Sequence, residues 1–380
     1  MNLDELRYEI DNIDREIIDA LDKRMRIAEE IGKYKKEHNL PVLDGARERK
    51  KMQKLAEMSK DDMKSYTRIL YSTIFEMSRE HQNRLLEKES PLVAEIEGAI
   101  NSTDKMFPEE VLVACQGTEG AYSQLACDKI FKNANIMYTQ SFEGVFSAVN
   151  SGLCKYGILP LENSTAGSVN QIYDLMMKYN FYIVRCARLK IDHNLLAKPG
   201  VKKSEIREVF SHEQAIMQCQ DYLSSLDGVK VTVCENTAIA AKMVAESDRD
   251  DVAALSSYAC GALYNLSCLE RSVQDTGNNY TKFICISKNL QVYPGSDKTS
   301  LMMVVDHKPG ALYKILARFF VLGINLIKLE SRPIPDRDFE FMFYFDIESQ
   351  VYSEEFVRLI SELQYMSQDF KYLGTYLEVI

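Results

Sequence analysis

Between residues 3 and 37 apolar side chains return every three or four positions, at Leu3, Leu6, Ile10, Ile13, Ile17, Leu21, Ala28 and Ile31, with no proline and one glycine. That period predicts a single long amphipathic helix. Pro41 ends it, Asp44 is placed to cap a second helix over 45–57, and Asp61 or Asp62 opens a third that runs to about Leu86. One long helix and two shorter ones are too thin a core by themselves, so packing against a partner chain is expected.

Beyond a link of low hydrophobicity around Lys88–Pro108, short apolar runs alternate with helical stretches. Val111–Cys115, Ile136–Thr139, Tyr156–Leu159, Phe181–Arg185, Glu208–Phe210, Val229–Cys234, Val252–Leu255 and Phe283–Ser287 read as strands, an α/β signature. A middle section around Leu189–Ala197 suggests two lobes with a cleft between them. A third pattern follows Pro294–Ser296. Strands at Lys298–Asp306, Asn325–Pro333, Phe339–Glu348 and Phe370–Ile380, with helices at Pro309–Leu322 and Ser353–Ser367, give the α+β ferredoxin-like order βαββαβ. The expected domains are therefore an all-α helical one over 1–90, a linker over 91–107, a bilobal α/β one over 108–290 and a small one over 297–380.

Composition narrows the partners. The formal charge of −10 argues against nucleic acid and against an anionic membrane surface, although residues 1–90 are nearly balanced, with 19 Lys/Arg against 20 Asp/Glu. The nine cysteines form no C-x-x-C pair and sit mostly in apolar runs, as reduced core residues of a cytoplasmic protein do. No apolar run reaches the length of a membrane span, and the five histidines have no metal-ligand spacing, so neither a metal nor a cofactor is expected.

On the first helix Arg24 and Lys35 fall within the apolar stripe and Arg7 at its edge. Unpaired cations there call for an anion. Tyr71, Phe75, Ser78 and Gln82 share a face of the third helix, and Asp44, Arg47 and Glu48 sit side by side at the start of the second. Over residues 1–88 this spacing resembles the all-helical chorismate mutase family. The resemblance implies a pocket of Arg7, Arg24, Lys35, Asp44, Arg47, Glu48, Ser78 and Gln82 around chorismate, with Arg7 supplied by the other chain of an intertwined dimer. Lys35 and Gln82 would stabilise charge growing on the ether oxygen, and Glu48 would hold the substrate hydroxyl.

The polar run Glu162–Ser168 lies between a strand and a helical pattern, where a carboxylate, an amide, hydroxyls and a glycine meet free backbone N–H groups. Taken alone it serves equally well as a helix cap. The Cys115–Ser123 turn, Phe210–Gln214 with Gln218, Glu235–Thr237 and Asn278–Phe283 also flank strands and are each more readily caps or turns than sites. In this order they resemble prephenate dehydratase over about 108–290. By that resemblance Glu162, Asn163, Ser164 and Thr165 line the cleft, Ser211, Gln214 and Gln218 position prephenate, His193 sits in the hinge, and Thr281 with Phe283 carries the dehydration motif. Thr281 is then the first choice of proton donor to the departing hydroxyl, with Glu162 polarising it or supplying the proton, and Glu162 and Asn163 are both expected to face Thr281. The family's usual Thr-Arg-Phe is Thr-Lys-Phe here, and Lys282 cannot make a planar two-point grip on a carboxylate.

Lys308–Leu312 opens a helix and Leu329–Pro333 ends a strand. The pair resembles the phenylalanine-binding ACT domain over about 297–380. An amino-acid effector would be held by Gly310, Ala311, Leu312, Glu330, Ser331 and Arg332 between two copies of the domain. The three resemblances together are those of the bifunctional chorismate mutase/prephenate dehydratase family, with L-phenylalanine as inhibitor and a homodimer or higher oligomer as the working form. Two other readings stay open: a helical segment kept only for dimerisation, and a ligand-sensing transcription regulator. The second is disfavoured because the first segment has neither a helix-turn-helix pattern nor a basic patch.

Overall fold

Asn2 and Glu5 close a reciprocal capping box at the start of the chain, and the helix it opens, α1, runs unbroken over Leu3–Glu37. The computed structural model describes residues 2–86, 90–334, 337 and 340–380. Lys88 and Phe339, at the starts of the expected link and of one expected strand, lie outside them. Asp44 caps α2 (Gly45–Met58), its side chain accepting from the Arg47 N–H, and a 3₁₀ turn at Asp61–Met63 leads into α3 (Lys64–Leu86). These helices form the first of two compact units, Met1–Ala94. Only Ala28 and Gly32 of α1 are buried, whereas Leu3, Leu6, Ile10, Ile13 and Ile17 are 45% to 62% exposed. That stripe is a contiguous exposed apolar face.

The expected link contains a helix, α4 (Pro91–Ser102), whose Ile96 and Ala99 are buried. Its residues Leu92, Val93, Ile96, Ala99 and Ile100 carry the helical period, which the surrounding polar residues dilute.

The second unit, Glu95–Ile380, holds the two α/β lobes and the C-terminal module. Along the chain it runs β1 (Glu110–Gln116), α5 (Tyr122–Ile130), β2 (Asn133–Thr139), α6 (Phe142–Asn150), β3 (Tyr156–Asn163), β4 (Gly167–Ser168), α7 (Asn170–Lys178) and β5 (Tyr182–Lys190). The second lobe follows with β6 (Asn194–Ala197), β7 (Glu208–His212), α8 (Glu213–Gln218), α9 (Gln220–Ser224), β8 (Lys230–Cys234), α10 (Thr237–Glu246), β9 (Val252–Ser256), α11 (Tyr258–Leu263) and β10 (Ser267–Glu270). Then β11 (Tyr280–Ser287) returns to the first lobe, so two chain crossings join the lobes. The C-terminal module is β12 (Lys298–Val304), α12 (Ala311–Val321), β13 (Asn325–Pro333), β14 (Phe341–Glu348), α13 (Glu354–Met366) and β15 (Phe370–Val379), the order βαββαβ.

The second lobe has its own sheet, β10-β6-β9-β7-β8. The first lobe and the C-terminal module share one, in the order β13-β14-β12-β15-β5-β11-β3-β1-β2, because β15 pairs in parallel with β5. Gly374 makes that approach feasible. Its φ is +128°, and a Cβ there would stand 2.3 Å from the Ile183 carbonyl oxygen. One core runs beneath the joint, with Ile172, Tyr173 and Met176 from the first lobe against Met302, Met342, Tyr344 and Tyr376 from the module. The nine cysteines are all free, and seven of them are buried.

Candidate active sites

In the helical unit, Arg24, Lys35, Asp44, Arg47, Glu48, Ser78 and Gln82 line one cavity of about 710 Å³ with Phe75 as part of its apolar wall. Seven of the eight residues expected around an anionic ligand are thus brought together. Arg7 is not among them. It lies on the exposed N-terminal part of α1, 3.5 Å from Asp4.

The cavity is built on Arg24, whose guanidinium donates to the Ser78 hydroxyl and lies 5.7 Å from the centre of the Phe75 ring. Lys35 Nζ donates to the Val42 carbonyl at 2.6 Å. Burial pulls the pKa of both cations below their ordinary values, with Glu48 opposing it in each case. A desolvated cation gains more from an anion than a hydrated one does. The Glu48 carboxylate receives two bonds of 2.5 Å from Arg79, a cavity residue the sequence reading omitted. Its signal was present, since Arg79 follows Phe75 by four positions on α3. Among the described residues the buried Gln82 Oε1 has no hydrogen-bond partner, which costs about 1–3 kcal/mol until something satisfies it. Among the described residues no group of three or more His, Cys, Asp or Glu is placed to hold a metal ion.

In the second unit the polar run Glu162–Ser168 does not begin where the apolar run ends. β3 continues through Asn163, pairing Thr281 with Asn163 and Lys282 with Glu162. Alternation along the strands then separates neighbours onto opposite faces.

Asn163 faces the junction of the lobes. Its Oδ1 accepts from the Thr165 N–H at 3.0 Å, the Ala166 N–H at 2.8 Å and the Thr165 hydroxyl at 2.7 Å. Two backbone donors fix which way the amide points, so Nδ2 must be the atom directed at Thr281 Oγ1, 2.9 Å away, and at Asn279 Oδ1, 2.7 Å away. Asn279 Nδ2 donates to Gln218 Oε1 at 2.9 Å, and Gln218 Nε2 donates to the Thr165 hydroxyl at 2.7 Å. His193 Nε2 is 2.9 Å from the same Gln218 oxygen. Burial lowers the His193 pKa, favouring the neutral ring, and that oxygen can only accept, so Nε2 carries the proton. Every polarity in this ring is thereby set, and Thr281 is left accepting from Asn163 with its own proton free to donate.

Several expected members are placed elsewhere. Glu162 is a correction to the expectation that it faces Thr281 with Asn163: its carboxylate turns to the other face and lies 2.9 Å from Lys328 Nζ of β13. Ser211 is fully buried, its hydroxyl donating to the Leu255 carbonyl at 2.8 Å, so it joins strands β7 and β9 rather than the polar ring. Phe283 is buried in the core with Tyr156 and Ile158. Ser164 ties down the neighbouring loop, accepting from the Tyr280 N–H at 2.9 Å and donating to the Asn278 carbonyl at 2.8 Å. Gln214 sits at the start of α8, where its N–H bonds His212 Nδ1 at 3.2 Å. Lys282 reaches Asp346 of β14 at 2.6 Å, so the lysine of Thr-Lys-Phe is directed at the C-terminal module and not at the polar ring. Asn279, only 1% exposed, is the member that sequence reasoning quoted within a motif and assigned no role.

In the C-terminal module Gly310, with φ +83°, caps α12, and Ala311 and Leu312 line a cavity of about 360 Å³ with His307, Phe341 and Phe343. Glu330, Ser331 and Arg332 do not line it. Glu330 accepts from Ser168, Arg332 makes two bonds of 3.1 Å to Asp174, and Ser331 points to the exposed face of β13. Within one chain the expected effector set is divided.

A cavity that gathers half-buried cations in a helical unit, and a ring of amides between two α/β lobes, are the features of an enzyme with two separate centres for small polar substrates. The chorismate mutase type II family matches residues 6–83 and the prephenate dehydratase family matches residues 113–291. The bifunctional chorismate mutase/prephenate dehydratase of Aquifex aeolicus is 33% identical over 98% of this chain and 97% of its own length, and that of Escherichia coli K12 is 32% identical over 98% and 95%. The solved structure of the Arthrobacter aurescens prephenate dehydratase in complex with L-Phe is 26% identical, covers 70% of this chain and 90% of its own, and superposes with a TM-score of 0.65. The chain belongs to the bifunctional chorismate mutase/prephenate dehydratase family.

Proposed function

We propose that the helical cavity rearranges chorismate to prephenate and that the Asn163–Thr281 ring converts prephenate to phenylpyruvate. The first step is pericyclic and needs no nucleophile. Arg24 and Arg47 hold the two carboxylates of a compact conformer, Glu48 takes the hydroxyl, and Lys35 with the Gln82 amide, turned to present Nε2–H, meets the ether oxygen as charge grows on it. Arg7 of a second chain completes the site, which accords with its distance from the cavity and with the exposed stripe of α1 around it.

In the second step the ring–carboxylate bond of prephenate breaks and carbon dioxide leaves, the bond's electron pair enters the ring, which becomes aromatic, and the ring hydroxyl departs with a proton as water. Thr281 donates its hydrogen to that hydroxyl, the Asn163 amide stabilises the charge that develops on the Thr281 oxygen, and solvent water returns the proton after the products leave. The enforced direction of the Asn163–Thr281 bond is the observation that carries this reading. L-Phenylalanine acts as inhibitor at the α12 N-terminus, in a domain of the ACT type over about 297–380, with the second copy of the module in a dimer supplying the groups that meet its ammonium.

The test is to give chorismate to the intact protein, follow phenylpyruvate, and repeat with phenylalanine present. Phenylpyruvate that falls on adding phenylalanine is the expected result. Prephenate accumulating with no phenylpyruvate removes the dehydratase assignment, and unchanged chorismate removes the mutase.

A further inference from the structure

The face of β3 and β11 turned away from the polar ring carries two charged side chains in register, Glu162 and Lys282. Each is the chain neighbour of a ring member, Asn163 and Thr281. Each also meets an opposite charge from the C-terminal module. Lys328 of β13 approaches Glu162 at 2.9 Å, and Asp346 of β14 accepts from Lys282 at 2.6 Å. Lys328 and Asp346 are themselves paired across β13 and β14, so the four residues form two adjacent ion pairs.

Three of these four side chains are withdrawn from water. The Lys282 and Asp346 side chains are 14% and 1% exposed, and that of Lys328 is 11% exposed. Asp346 also accepts from the Ser300 hydroxyl at 2.5 Å, and Lys328 donates to the Ser168 hydroxyl at 2.9 Å while its Nζ lies 5.5 Å from the centre of the Tyr173 ring. The Lys282–Asp346 pair is enclosed on both sides, so separating it leaves a buried charge unmet, and Lys328 is held at its buried end with Glu330 as a second carboxylate 3.9 Å away. The β3–β11 register slips between Lys282 and Phe283, where strand pairing alone constrains the backbone least.

We propose that Lys328 and Asp346 are positioning residues of the dehydratase: from the module outside the two lobes they clamp Glu162 and Lys282, and through them set the separation of Asn163 and Thr281 on the opposite face. The proposal rests on the dehydratase reading above. It also gives Lys282 a structural partner in place of a substrate carboxylate, and it accounts for Glu162 standing beside the ring without joining it.

Lys328→Met is the first variant, because Glu162 is 37% exposed and water can take over its charge without unfolding the chain. With prephenate as substrate, kcat is expected to fall about tenfold with KM changed less than threefold, since a small displacement of catalytic groups acts on the chemical step. Lys328→Arg, which keeps the cation, should recover most of the loss. A second variant, Lys282→Met with Asp346→Leu, replaces the buried pair by apolar groups so that no charge is stranded, and should show the same fall in kcat with thermal stability near that of the unaltered protein. Chorismate consumption is the internal control and should not change. Variants that melt at a lower temperature yet keep kcat within twofold would overturn the proposal. Failure of the unaltered protein to turn over prephenate would instead overturn the dehydratase reading.

Discussion

The helical cavity and the polar ring solve opposite problems with the same classes of side chain. In the cavity, charge is concentrated and left incompletely answered: Arg24 and Lys35 are partly desolvated, and Gln82 has a buried oxygen with no partner among the described residues. In the ring, uncharged amides and hydroxyls answer one another around a closed path, and the Thr281 hydroxyl, which accepts from Asn163, keeps its hydrogen for another acceptor. Under the proposed assignment the difference follows the chemistry. A pericyclic rearrangement needs its substrate gripped in one shape and its transition-state charge met, which fixed cations do directly. Loss of water needs a proton delivered at one atom, which depends on the direction of every bond leading there.

The comparison breaks first at Thr281. Thr281→Val keeps the shape and removes the free hydrogen, so phenylpyruvate formation should fall by about 10³-fold, within the range for loss of a proton-donating group, while chorismate turnover is unchanged. An unaffected rate would show that the ring holds structure and not reactivity. The converse change is Lys35→Met, expected to lower mutase turnover by about 10²-fold with dehydration intact. A rise in KM at constant kcat would mean that Lys35 only binds, and the contrast drawn here would narrow. The smallest effect concerns pH. Burial holds the His193 pKa below its ordinary 6.5, so the unfolded chain takes up a proton before the folded one does as pH falls. The stability of the second unit should therefore be fully present above about pH 6.5 and decline below it. His193→Gln should flatten that part of the melting temperature against pH curve in calorimetry, and an unaltered slope would assign the dependence to other groups.

How far these sites could be read from sequence differed between the two regions for the same reason that their chemistry does. Within each helix the cavity residues stand whole turns apart, Arg24 and Lys35 about three and Ser78 and Gln82 about one, so they announce themselves through a local period. The ring is made of pairs separated by long stretches of chain, such as Asn163 with Asn279 and Thr165 with Gln218. Local pattern marked the run from Glu162 to Ser168 as polar and so as a loop. Only its pairing with β11 makes it a strand as far as Asn163, and only that register sends Glu162 and Asn163 to opposite faces. The βαββαβ order of the last module was legible, since its six elements are long and regular. Its merger into the neighbouring sheet was not, because nothing local marks β15 as a partner for β5.

That merger hangs on the hydrogen atom that Gly374 has in place of a side chain. It turns two domains into a single mechanical body along their hydrogen-bonded seam. Cutting the chain ahead of the module would bare the edge of β5 at Arg185–Ala187, and an open edge recruits strands from other molecules. Insolubility of such a fragment would then report a severed sheet, and would carry no information about catalysis.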